Sequence, residues 1–163
     1  MAKQLISIAL FLLSTQVIFG QDSTDFYAHL QSKHREVLKK WQGKTTWLRP
    51  AIEEDASKDD LKEWRRENKT FFPYYVVGDF NQDGKEDFVV MLKNIKAEDE
   101  GVLVIFNAPF SNSKPAYLNR GFGVRNYYVE YLEDLRMLYF TAYETHGFYL
   151  KPKGKKYTEF DPQ

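Results

Sequence analysis

Apolar residues recur with two different periods along this chain, and the change comes near Phe71. Before it, Phe26, Leu30, Val37 and Trp41 fall at intervals near 3.6, with Leu38 beside Val37 and Lys and Arg filling the other face. That spacing predicts a helix over 22–42, started at Asp22 or Ser23 and ended at Gly43. A shorter second helix is expected over 58–67, with Ser57 at its N-cap, Asp60 three residues on, and Leu61 and Trp64 as its apolar stripe. The connecting stretch TTWLRPAIEED reads as irregular, because Pro50 blocks a helix.

After Phe71 the pattern is one of strands. FFPYYVV, DFVVML, GVLVIF, NYYVEYL, RMLYFTAY, GFYLK and KKYTEF are short runs rich in Val, Phe and Tyr, separated by segments such as NQDG, KAEDEG, NAPFSNSKP, NRGFG and KPKG. No helical stretch of crossover length separates them, so antiparallel pairing is expected. FVVML and VLVIF are apolar at every position, as in central strands covered on both faces. The expected fold is α+β: two N-terminal helices packed on a mostly antiparallel meander sheet of five to seven strands.

The first residues, MAKQLISIALFLLSTQVIFGQ, carry one charge at Lys3 before an apolar run, the layout of a secretory signal cleaved after Gly20. A spanning helix would need roughly 20 apolar residues, and Ser7, Ser14, Thr15 and Gln16 interrupt this one; a retained anchor is the alternative. Cleavage leaves 163 − 20 = 143 residues, 21–163, one domain's worth, with a formal charge of 22 − 23 = −1. Such a balance gives no bulk electrostatic case for nucleic acid, which would need a basic face. There are no cysteines, so neither disulfides nor thiol chemistry enter. A periplasmic or secreted monomer with no membrane span after cleavage is expected, meeting an envelope protein or polysaccharide.

The chemistry concentrates in GDFNQDGKED, Gly78 to Asp87. Asp79, Asn81 and Asp83 alternate, so their side chains can turn to one side, and Gly84 permits the positive φ that reverses the chain. The Lys85 carbonyl and the Asp87 carboxylate complete an all-oxygen donor set. Calcium takes six to eight oxygen ligands at roughly 2.3–2.6 Å, whereas magnesium demands a tighter octahedron. Several carboxylates so close repel unless a cation lies among them. An EF-hand is excluded, because its closing Glu would fall at Val90 and the flanks read as strands.

The fifteen residues GDFNQDGKEDFVVML resemble the acidic loop of FG-GAP and VCBS repeats, G-D-x-N-x-D-G-x-x-D before an apolar strand. The resemblance implies a structural Ca2+ held by the side chains of Asp79, Asn81, Asp83 and Asp87 and the carbonyl of Lys85. That family builds β-propellers from several copies, and this chain has one, so a propeller is excluded. The general plan also resembles small exported bacterial proteins of VCBS-like type.

Other candidates carry less. His29 and His34, five apart, do not share a helix face as a zinc pair would and read as surface residues. Glu144 and His146 could do acid–base work in a hydrolase, but no nucleophile accompanies them, so no catalytic residue is assigned. Glu53, Glu54, Asp55, Asp59 and Asp60 read as solvated charge before a helix. Lys151–Lys156 reads as a basic hairpin tip, and NKT at 68–70 as a glycosylation acceptor in a eukaryotic secretory route. Tyr127, Tyr128, Tyr131, Tyr139, Tyr143, Tyr149 and Tyr157 read first as cross-strand packing. A solvent-facing row of them would favour a carbohydrate- or peptidoglycan-binding module. The expected function is non-catalytic, binding or inhibiting an envelope partner.

Overall fold

In the computed structural model, residues 24–142 and 147–161 are described. The signal-like segment 1–20, the expected helix starts Asp22 and Ser23, Tyr143 and the Glu144/His146 pair lie outside them. The chain runs α1 (Ser32–Gln42), β1 (Leu48–Pro50), α2 (Lys58–Glu67), β2 (Tyr75–Gly78), β3 (Asp87–Asn94), β4 (Glu100–Phe106), β5 (Tyr117–Gly123), β6 (Tyr127–Leu132), β7 (Met137–Ala142), β8 (Phe148–Lys153) and β9 (Lys156–Phe160). Among the described residues no helix is long and apolar enough to cross a membrane.

The expected single sheet under two helices is corrected here. The protein is mostly β, with two antiparallel sheets of five and four strands. In the first sheet β3 pairs β4 and β4 pairs β5, while β1 and β2 share the other edge of β3, opposite Leu92–Asn94 and Asp87–Val90 respectively. The second is the meander β6–β7–β8–β9. A short 3-10 turn, Val124–Asn126, lies between β5 and β6 where the chain changes sheets.

Side chains of β3 and β4 alternate between two cores, which is why both strands read as apolar throughout. Phe88, Val90, Leu92, Val102, Val104 and Phe106 meet Leu30 and Leu38 on and before α1. Val89, Met91, Leu103 and Ile105 turn the other way, against Val129, Leu138, Phe140 and Leu150 of the second sheet. The order of layers is therefore helix, sheet, sheet. Each large apolar side chain buried in this way stabilises by roughly 2 kcal/mol.

α2 spans its expected residues, with Leu61 and Trp64 against the second core. α1 is shorter than expected, because 24–30 form turns, and Gly43 ends it at φ 55°. Two of the surface readings also change. The Asp55 side chain is only 6% exposed and accepts from both Arg49 guanidinium nitrogens, at 2.6 and 2.7 Å, and from Lys93 Nζ at 2.9 Å. Burial pushes its carboxyl up, but these cations and the Ile52 N–H outweigh that and hold it below its ordinary value.

His34 is fully buried and stacked on Phe88 at 4.2 Å, with Tyr75 and Phe110 edge-on. Its Nδ1 lies 2.6 Å from the Tyr75 hydroxyl, which also accepts the Gln31 N–H. His29 sits in the turn before α1, 4.7 Å from the Phe72 ring, rather than on a helix surface.

Candidate functional site

The acidic loop joins β2 to β3, and the pairing of Gly78 with Asp87 closes its base. Its amides are bound by its own side chains, as Asp and Asn favour in turns. Asp79 accepts the N–H of Asp83 on one oxygen at 3.0 Å and that of Gly84 on the other at 2.9 Å. Asn81 Oδ1 also accepts the Asp83 N–H, and Asp83 Oδ1 accepts the Lys85 N–H, both at 3.0 Å. The Asn81 amide donates to Asp83 Oδ2 at 3.3 Å. The chain reverses through positive φ at Gln82 and at Gly84, 61° and 81°, the second where the sequence placed its glycine.

Asp87 stands beneath the loop, 0% exposed. Its carboxylate accepts the Ala108 N–H at 2.8 Å and the Asn81 N–H at 3.3 Å. Burial pushes this carboxyl up to about 6; the two N–H bonds oppose the shift, and the Asp83 and Asp79 charges add to it. The loop thus brings Asp79, Asn81, Asp83 and Asp87 together, and ties Lys85 to them through its N–H. Among the described residues no three Asp, Glu, His or Cys side chains are gathered tightly enough to hold a metal as they stand. The donor chemistry is nonetheless that of a hard cation: carboxylates and an amide, with no imidazole or thiol.

The loop is also fastened to both other layers. Phe80 is 1% exposed and packs on Tyr131 of β6, with ring centroids 5.1 Å apart. The Tyr131 hydroxyl donates to the Asp79 carbonyl at 3.2 Å. A Cβ on Gly78 would meet the Phe80 ring at 2.9 Å and the Tyr131 ring at 3.0 Å, so no larger residue fits there unshifted. Glu86 pairs with Lys33 of α1 and lies 4.0 Å from His34 Nε2. Tyr131→Phe, which removes only the hydroxyl, is expected to lower unfolding free energy by about 1 kcal/mol in urea titrations; no change would show that the bond holds nothing.

The tyrosine set, apart from Tyr143, divides between the faces of the second sheet. Tyr127, Tyr131 and Tyr157 pack against the core, while Tyr128, Tyr139 and Tyr149 alternate with buried neighbours toward the outside. Tyr139 and Tyr149 pair across β7 and β8 and stack on each other at 4.7 Å and 29°. Near Tyr128 the structure adds a feature that sequence reasoning missed. Trp64 of α2 and Phe71 converge on Tyr128, with Glu130 two residues along β6 lining the same cleft. The alternation of Tyr128 and Glu130 was the sequence signal that they share a face.

Compared with protein-family models, with curated proteins and with solved structures, the chain matches none of them. The likeness to FG-GAP and VCBS loops rests on the fifteen residues that carry it.

Proposed function

We propose that this chain is an exported, non-catalytic binding domain of the periplasm or cell exterior, stapled by a structural calcium ion in the β2–β3 loop. The side chains of Asp79, Asn81, Asp83 and Asp87 and the carbonyl of Lys85 would hold the ion, as in FG-GAP and VCBS loops. The observation that carries the reading is the convergence of four oxygen-bearing side chains in one loop closed by Gly78 and Asp87. A bound cation there neutralises the three carboxylates. Because this loop also touches α1 through Glu86 and the second sheet through Phe80 and Tyr131, stiffening it stabilises the contact of all three layers. The partner in this reading is an envelope protein or polysaccharide.

A sugar platform on the outer tyrosines has less behind it. The facing rings of Tyr139 and Tyr149 cover one another, whereas sugar stacking needs open ring faces.

Isothermal titration tests the metal. Calcium should bind with a Kd of roughly 10⁻⁴–10⁻³ M, the range of extracellular modules, and Asp83→Ala should give no binding heat. Equal heats in both proteins, or none in either, would refute the site.

A further inference from the structure

We infer that the cleft between α2 and the outer face of β6 binds an organic cation, the guanidinium or alkylammonium head of a basic side chain or of a small amine. Three aromatic rings form its wall. Trp64 and Tyr128 lie 4.8 Å apart at 55°, Trp64 and Phe71 5.7 Å apart at 65°, and Phe71 and Tyr128 5.5 Å apart at 82°. Rings so inclined do not form the flat platform on which a sugar chain lies. Their faces carry negative quadrupolar potential and attract cations. The cleft holds about 460 Å³, at the small end of ligand sites.

Charge points the same way. Glu63, Glu67 and Glu130 line the cleft with, among the described residues, a single cation, Arg66, and Arg66 is already paired with Glu63 at 2.7 Å. Neither Glu67 nor Glu130 has a salt-bridge partner among the described residues. Glu130 is half-buried, and burial alone raises its carboxyl above the ordinary value. The neighbouring Tyr128 hydroxyl is pushed up to about 12, first by burial and then by the charge of Glu130. An unpaired carboxylate held among aromatic rings is costly alone and favourable with a cation against it. A neutral ligand would leave that charge unmatched.

The inference gives a chemistry to the binding role proposed above and rests on that reading, but not on the calcium loop. The test is a ¹H–¹⁵N titration of the purified chain, following the Trp64 indole N–H. N-acetyl-arginine methylamide represents a basic side chain and tetramethylammonium a free amine. N-acetyl-citrulline methylamide is the neutral isostere, and methyl β-cellobioside the sugar control. Either cation should shift the indole saturably, with citrulline and Glu130→Gln each weakening binding by roughly tenfold. Glu67→Gln should weaken it less. Tighter binding of the arginine derivative identifies a protein partner, and tighter binding of tetramethylammonium a small amine; both uphold the cation. Equal binding of citrulline, an unaffected and folded Glu130→Gln, a response to the sugar only, or no saturable shift would overturn it. The calcium-dependent melting shift recorded on the same samples separates failure here from failure of the metal site.

Discussion

Asp87→Ala is expected to cost roughly 3 kcal/mol of stability and to abolish any response to calcium. The carboxylate is fully buried and satisfies two backbone donors, Ala108 N–H and Asn81 N–H. Removing an acceptor from buried donors costs about 1–3 kcal/mol for each donor left unpaired. Against this, the mutation relieves a desolvated charge that Asp83 and Asp79 repel, so the net loss falls short of the sum. For a domain of this size the melting temperature should fall by about 10 °C. Asp87→Asn keeps the volume and one acceptor, so it should lose less in EDTA yet respond to calcium no better than the alanine. Full retention of the calcium response in Asp87→Asn would take Asp87 out of the ligand set.

Stability should also fall on mild acidification, through His34. Its imidazole is 0% exposed, its Nδ1 is engaged by the Tyr75 hydroxyl, and its buried Nε2 has no hydrogen-bond partner among the described residues. Burial first, and the adjacent Lys33 charge second, lower it from 6.5 to about 4, while Glu86 opposes them weakly. Because the folded state then binds fewer protons than the unfolded chain, this contribution is complete above pH 6.5 and is lost as pH falls toward 4. The loss by pH 4.5 is on the order of 2 kcal/mol. His29, lowered to about 4 chiefly by burial and then by Arg35, acts in the same direction; the raised Asp87 carboxyl takes up its proton more readily in the folded chain and offsets part of the loss. Thermal melts from pH 7.5 to 4.5 measure it. His34→Gln, which takes up no proton, should start less stable at pH 7.5 and show a flatter slope. An unchanged slope in the variant would place the acid sensitivity elsewhere.

The strands most legible in the sequence were the ones buried on both faces. FVVML and VLVIF had no polar position to hide, and they became β3 and β4. The strands that escaped notice are those whose neighbours make them strands. β1 contains Pro50 and survives as a three-residue edge on β3, and β5, YLNRGFG, is mostly polar or glycine and is held by β4 across an irregular register at Gly101 and Val102. Strand patterns also say nothing of where a chain changes sheets, so one meander was expected where two sheets stand.

His34 was weighed only as half of a zinc pair with His29 and read as a surface residue. Yet it falls four residues after Leu30 and four before Leu38, on the apolar stripe itself. The acidic loop was legible because its donors are local, within ten residues. The aromatic cleft was not, because Trp64, Phe71 and Tyr128 meet only through the packing of α2 on β6.

The most direct test of the account is the melting temperature of the wild-type chain in EDTA against several millimolar calcium, at pH 7.5. With a Kd of roughly 10⁻⁴–10⁻³ M, linkage gives about 1 kcal/mol, or an upward shift of several degrees in calcium. Superimposable curves in the two solutions would contradict the calcium staple outright.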